Sequence, residues 1–275
     1  MRKLTVEEVK ARELDILRSV RDFCRERGLT CYIAYGTLIG AVRHQGFIPW
    51  DDDVDVIMFR EDYDVFMREF NIGRRDALRA KCPENDRDYY HNMGKVIDSS
   101  TRLEENNHLG DEMGVYIDVF AFDYLPEDAA ERAKVRARLQ HLRNYYRRIN
   151  EEPEEQKNPV KRLALLGTKL ALRLLPGGLI ARKMNEAAAN ASRGEKTSIC
   201  GELTSYSCGD RSIFETAWFD GTVELPFEGE LFTAPKEYDK ILRFFYGDYM
   251  ALPPEEKRHL EHGFTAYALE AEEMK

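Results

Sequence analysis

The stretch from Tyr35 to Met58 reads Tyr-Gly-Thr-Leu-Ile-Gly-Ala-Val-Arg-His-Gln-Gly-Phe-Ile-Pro-Trp-Asp-Asp-Asp-Val-Asp-Val-Ile-Met. Its second half sets Asp51, Asp52, Asp53 and Asp55 at the head of Val56, Ile57, Met58 and Phe59, a run with strand character. Side chains alternate faces along a strand, so Asp51, Asp53 and Asp55 are expected on one face and Asp52, Val54, Val56 and Met58 on the other. Carboxylates two residues apart lie roughly 6.5 Å apart at the backbone, near enough for their oxygens to converge on one cation or on a pair. Crowded carboxylates raise one another's pKa values, and a hard divalent ion, Mg²⁺ or Mn²⁺, relieves the repulsion. An acidic turn capping the strand is the competing reading, but a turn has no need of aspartates alternating with valines.

Upstream, Tyr32 to Tyr35 reads as a short strand, which runs into Gly36-Thr37 and then a helical run from Leu38 to Arg43. A glycine turn between strand and helix aims backbone N–H groups, the Thr37 hydroxyl and the positive helix end at an anion, phosphate above all. Gly-Thr alone is common in ordinary turns. It gains meaning from the aspartates that follow within about twenty residues.

Tyr35 to His44 together with Phe47 to Val56 resembles the LicD family of phosphocholine transferases, which includes the fukutin-related proteins. The resemblance continues in Val115 to Phe120 and in Tyr246-Gly247-Asp248-Tyr249 through Arg258, and is thin over residues 126–200. It implies an α+β fold: a nucleotidyltransferase-like core of a small mixed sheet flanked by helices, with a helical insertion at about 126–200 in a single domain of residues 1–275. It also implies transfer of a phospho-alcohol group from a CDP-linked donor to a sugar hydroxyl.

Further site residues follow. Asp118 is a lone carboxylate in the apolar strand Val115 to Phe120, and a buried carboxylate needs a partner; the metal held by Asp53 and Asp55 is the simplest one. Asp51 and Asp52 are second choices as ligands, and Asp118 or Asp51 is the candidate general base. In this family Lys95, in the strand Met93 to Asp98, resembles a phosphate contact. Arg43 is placed to steady the leaving nucleotide, and His44 to touch phosphate or act as base. Trp50, Trp218, Tyr246 and Tyr249 are candidates for an aromatic pocket suited to a trimethylammonium group. The expected donor is CDP-choline. CDP-ribitol, CDP-glycerol, an NTP substrate with pyrophosphate release, and a catalytically silent assembly protein are the competing readings. The expected acceptor is a surface glycan of the lipooligosaccharide or teichoic acid type.

Composition sets the outer bounds. The 275 residues are 43% hydrophobic, enough for a sizeable core, and the formal net charge of −9 argues against a general nucleic-acid binder. Five cysteines without a Cys-x-x-Cys pair read as free thiols in a reducing cytoplasm. No apolar leader opens the chain and no run approaches the ~20 apolar residues of a membrane span, so a cytoplasmic protein is expected.

Thr5 and Glu8 form a capping box ahead of an amphipathic helix that ends near Gly28, and Tyr63, Phe66, Met67 and Phe70 have helical spacing. Residues 74–92 read as a surface loop, Glu127 to Arg148 as a charged helix, and Glu151 to Pro159 as a linker. The basic, leucine-rich segment within 161–183 reads either as packing, against the core or a second copy, or as a peripheral contact with an anionic membrane at its inner face, where a lipid-linked acceptor would lie. Past Gly201 strands and turns are expected, Trp218-Phe219, 223–229 and 231–235 among them, then a helix from Tyr238 to Phe245.

Overall fold

The computed structural model describes residues 1–104, 113–150, 158–172, 178–204, 212–258 and 264–270. Strand β1 (Arg2–Lys3) leads to helix α1 (Val6–Arg27). The Thr5 hydroxyl accepts the Glu8 N–H and the Glu8 carboxylate accepts the Thr5 N–H, the expected reciprocal cap. The helix stops at Gly28, whose φ of 67° is the left-handed conformation glycine adopts without steric cost.

The central sheet is built from β2 (Tyr32–Ile33), β3 (Asp55–Phe59), β4 (Leu78–Lys81), β5 (Gly94–Asp98) and β7 (Val115–Tyr124), in the order β2-β3-β7-β5-β4. β3 and β7 run parallel, whereas β2 with β3, β5 with β7 and β4 with β5 are antiparallel, so the sheet is mixed. β8 (Ile199–Glu202) joins β7 and β9 (Ile213–Glu215) joins β8. β6 (Thr101–Glu104) pairs β12 (Thr265–Ala268), which pairs β1, and β10 (Thr222–Phe227) with β11 (Glu230–Pro235) makes a separate hairpin. Helix α2 (Tyr35–Arg43) joins β2 to β3, and α3 (Arg60–Glu69) follows β3. Between β7 and β8 come α4 (Ala129–Asn150), α5 (Pro159–Leu172) and α6 (Leu179–Ala189); α7 (Tyr238–Tyr246) follows the hairpin. This is an α+β fold.

The alternation along β3 and β7 decides what each sheet face does. Val54, Val56, Met58, Val115, Ile117, Val119 and Ala121 point into the main core with Val9, Leu14, Leu17 and Val20 of α1 and Tyr63, Phe66 and Met67 of α3. Ile57, Phe120 and Phe122 point the other way, into an aromatic cluster with Phe214, Trp218, Phe219 and Ile241. Asp55 and Asp118 lie on that second face, further toward the N-terminal ends of the strands.

Three expectations are corrected. β3 begins at Asp55, so Asp51, Asp52 and Asp53 precede the strand, although their burial still alternates: Asp52 is buried and its neighbours are half-buried. Helix α2 begins at Tyr35, which puts Gly36 and Thr37 inside its first turn. The 74–92 segment contains β4, because Arg79 and Ala80 find backbone partners in Ile97 and Val96 of β5. Among the expected strands and turns, Trp218-Phe219 takes the form of a 3₁₀ turn over Thr216–Phe219, where both residues are buried. Most of the linker at Glu151 to Pro159 lies outside the described residues.

Candidate active site

Strand pairing lays one row of charged residues straight across the sheet. Asp55 is the register partner of Asp118, and Asp118 of Lys95, so the three side chains stand side by side on one face of β3, β7 and β5. Neighbouring strands are about 4.8 Å apart, so such a row brings chemical groups into contact that lie far apart in sequence. The Lys95 ammonium forms an ion pair with the Asp118 carboxylate and lies 3.4 Å from the centroid of the Tyr116 ring. Lys95 and Asp55 are buried, and Asp118 is half-buried.

Burial, then the carboxylates of Asp53, Asp118 and Asp51, pushes the Asp55 carboxyl well above the usual carboxylate range; Lys95 acts in the opposite direction. Asp51 and Asp53 therefore act electrostatically on the same site as the strand pair. Asp51 is held close to α2: a Cβ at Gly36 would stand 2.6 Å from the Asp51 carboxylate. Thr37 is buried and its hydroxyl accepts the Asp55 N–H at 2.8 Å, so it fixes the start of β3. That hydroxyl is engaged by backbone, and the contribution α2 offers to an anion is its N-terminal N–H groups.

Gly36 offers a direct test. Alanine there gains up to about 1 kcal/mol of helix propensity, but its methyl must displace the Asp51 carboxylate. Gly36→Ala is expected to leave the melting temperature nearly unchanged and to lower turnover by about 10- to 100-fold. Unchanged turnover would mean that the position of Asp51 is immaterial.

Arg43, His44 and Trp50 form a second group at the C-terminal end of α2. The Arg43 guanidinium donates to His44 Nε2 at 2.9 Å and to the Tyr249 carbonyl at 2.7 Å. Trp50 stands edge-on to His44 with ring centres 6.0 Å apart, and the Arg43 and Arg258 guanidiniums lie 6.0 and 5.3 Å from its ring. Burial and then Arg258 lower the Arg43 pKa, while Asp51 raises it; burial and then Arg43 lower that of His44. This basic and aromatic group thus lies within electrostatic reach of the aspartates.

The four candidate aromatics have different immediate partners. Trp218 packs against Phe214 and Phe244 with Lys240 over its ring, and the Tyr249 hydroxyl donates to Asp239 at 2.7 Å. Tyr246 is exposed and touches Phe245, while Trp50 stays with Arg43.

Two residues of this region escaped sequence reasoning. Arg258 reaches Trp50 from the C-terminal part of the chain, and nothing local in the sequence ties the two together. Glu13 is buried on α1 with its Oε2 atom unpartnered, and it lines a small cavity with Asp52, Asp53, Val115 and Tyr116. Burial, then Asp53 and Asp52, raises its pKa well above the usual range. Its signal was present: Glu13 falls four residues after Val9 and four before Leu17, a charged residue at a core position of the helical stripe.

Asp53, Asp118 and Asp51 all oppose ionisation of Asp55, an electrostatic strain of the kind that a hard divalent cation with oxygen ligands relieves. Among the described residues no three His, Cys, Asp or Glu side chains stand ready to hold a metal ion. Lys95 supplies the positive charge at Asp118. Four free cysteines are present among the described residues, none in this site.

Residues 28–172 match the LicD/FKTN/FKRP family, nucleotidyltransferase domain. The chain is also similar to the lipopolysaccharide cholinephosphotransferase LicD of Haemophilus influenzae, 28% identical over 98% of this chain and 100% of that one. Uncharacterised proteins of Rickettsia typhi and Rickettsia prowazekii are each 36% identical over 22% of the chain, covering 20% and 24% of their own lengths.

Proposed function

The chain belongs to the LicD/FKTN/FKRP family, and from that premise we propose that it is a phosphotransferase moving phosphocholine from CDP-choline to a hydroxyl of a lipopolysaccharide-type glycan, with release of CMP. The observation that carries this reading is the Asp55–Asp118–Lys95 row beside Asp51 and Asp53, in a chain aligned over nearly its whole length with a cholinephosphotransferase.

In the reaction the acceptor oxygen attacks the choline-bearing phosphorus in line, forming one P–O bond as the bond to the CMP oxygen breaks. The hydroxyl proton passes to a carboxylate, Asp118 or Asp51. Lys95 and Arg43 carry the positive charge that offsets the phosphate oxygens, and the N–H groups of the first turn of α2 offer donors to the diphosphate. Thr37 holds Asp55 in place through the backbone, and Gly36 leaves room for Asp51. Asp53, Asp55 and Asp118 are the residues that would hold Mg²⁺ or Mn²⁺, whose chemistry there is to polarise the transferred group and stabilise the attacking and departing oxygens.

The test incubates the protein with Mg²⁺ and CDP-choline, CDP-ribitol, CDP-glycerol or an NTP, with and without lipopolysaccharide, and follows products by phosphorus NMR. CMP release from CDP-choline that rises when glycan is added is the expected result. CMP from another CDP-alcohol alone would change the donor. Pyrophosphate from an NTP would overturn the reaction class.

A further inference from the structure

Among the described residues, helix α5 carries exposed apolar side chains along one side. Val160, Leu163 and Leu166 are 76%, 72% and 45% exposed, whereas Leu165 of the same helix is buried. At about 100° per residue, Val160, Leu163, Ala164 and Gly167 share one side with Leu166 at its edge. Leu165 is turned opposite, and Lys161 and Arg162, both exposed, stand on the two flanks. Single exposed aliphatics are ordinary on a protein surface; a helix with a continuous outward apolar side between basic flanks is not.

The surroundings of α5 give this side its partner. Residues 129–173 carry 12 Lys and Arg against five Glu and no Asp, in a chain whose net charge is −9. The helix itself holds no acidic residue. A partner must therefore be both anionic and apolar. A second copy of this chain would bring two basic segments together, and a nucleic acid would offer nothing to an aliphatic stripe that lacks aromatic rings for stacking. A bilayer containing anionic phospholipid supplies both features, with headgroups for Lys161 and Arg162 and acyl chains for Val160, Leu163 and Leu166. At 14 residues α5 is too short to span a bilayer, and no helix among the described residues is long and apolar enough to cross one.

We propose that α5 docks the protein on anionic membrane surfaces, lying in the plane of the interface with Val160, Leu163 and Leu166 inserted. The docking stands independently of the transfer reaction.

The test is co-sedimentation of the full chain with vesicles of phosphatidylglycerol and phosphatidylethanolamine, and with vesicles of phosphatidylcholine alone. Binding to the anionic vesicles is expected to weaken with salt and to fall at least about tenfold in Val160→Asn/Leu163→Asn and in Lys161→Glu/Arg162→Glu. These positions are exposed, and circular dichroism checks that both variants keep the native helix content. Absence of binding to anionic vesicles, or equal binding by the apolar variant, would overturn the proposal. So would vesicle-free self-association that the apolar variant abolishes, which would assign this face to a second copy.

Discussion

Asp55→Asn is expected to lose at least about 100-fold of turnover while the protein remains folded and melts at the same temperature or higher. The two halves of this result have one cause. The Asp55 carboxyl is buried beside Asp53, Asp118 and Asp51, so its charge is opposed by the fold that holds it. Asparagine keeps the shape, the backbone N–H bond to Thr37 and the register with Asp118, and replaces the carboxylate by an uncharged amide with one acceptor oxygen and one NH2 donor. Asp53→Asn is expected to behave alike in turnover. Kinetics with CDP-choline and Mg²⁺, alongside thermal melting by circular dichroism, read both effects. A loss of only a few fold in both variants would move the catalytic centre away from this row.

The largest expected effect on stability lies behind the site. Arg60, the first residue of α3, donates from Nε and Nη2 to the two carboxylate oxygens of Asp123 on β7, at 2.8 and 2.7 Å. Their side chains are 12% and 2% exposed, so removing one partner strands the other's charge in the interior. Arg60→Ala is expected to cost about 3–5 kcal/mol in urea unfolding. The double change Arg60→Met/Asp123→Leu is expected to recover most of that, because the cost is chiefly the orphaned carboxylate. The exposed pair Arg25–Glu224 gives the contrast: Arg25→Ala is expected to cost less than about 1 kcal/mol. A loss that small in Arg60→Ala would show that Asp123 is tolerated unpaired and the bidentate contact is dispensable.

Period-based reading found what depends on neighbours in the chain. The Thr5–Glu8 box, the α1 stripe, the apolar alternation of β7 and the aromatic spacing of α3 are local patterns, and each formed its element. Boundaries that rest on distant partners moved. β4 became a strand because β5 offered it an edge, and β3 starts at Asp55, the residue at which pairing with β7 begins.

The same division runs through the site. Sequence alone singled out Asp51, Asp53, Asp55 and Asp118 as the candidate acidic site, because alternation and isolation among apolar residues are visible without coordinates. Only the tertiary structure decided that Lys95 is the cation facing Asp118, that Thr37 serves the backbone of β3, and that Glu13 and Arg258 join from opposite ends of the chain. The physical reason is strand register. A parallel pair between β3 and β7 and an antiparallel pair between β7 and β5 set three residues at one level of the sheet, and register is fixed by which faces bury their apolar side chains across the whole fold.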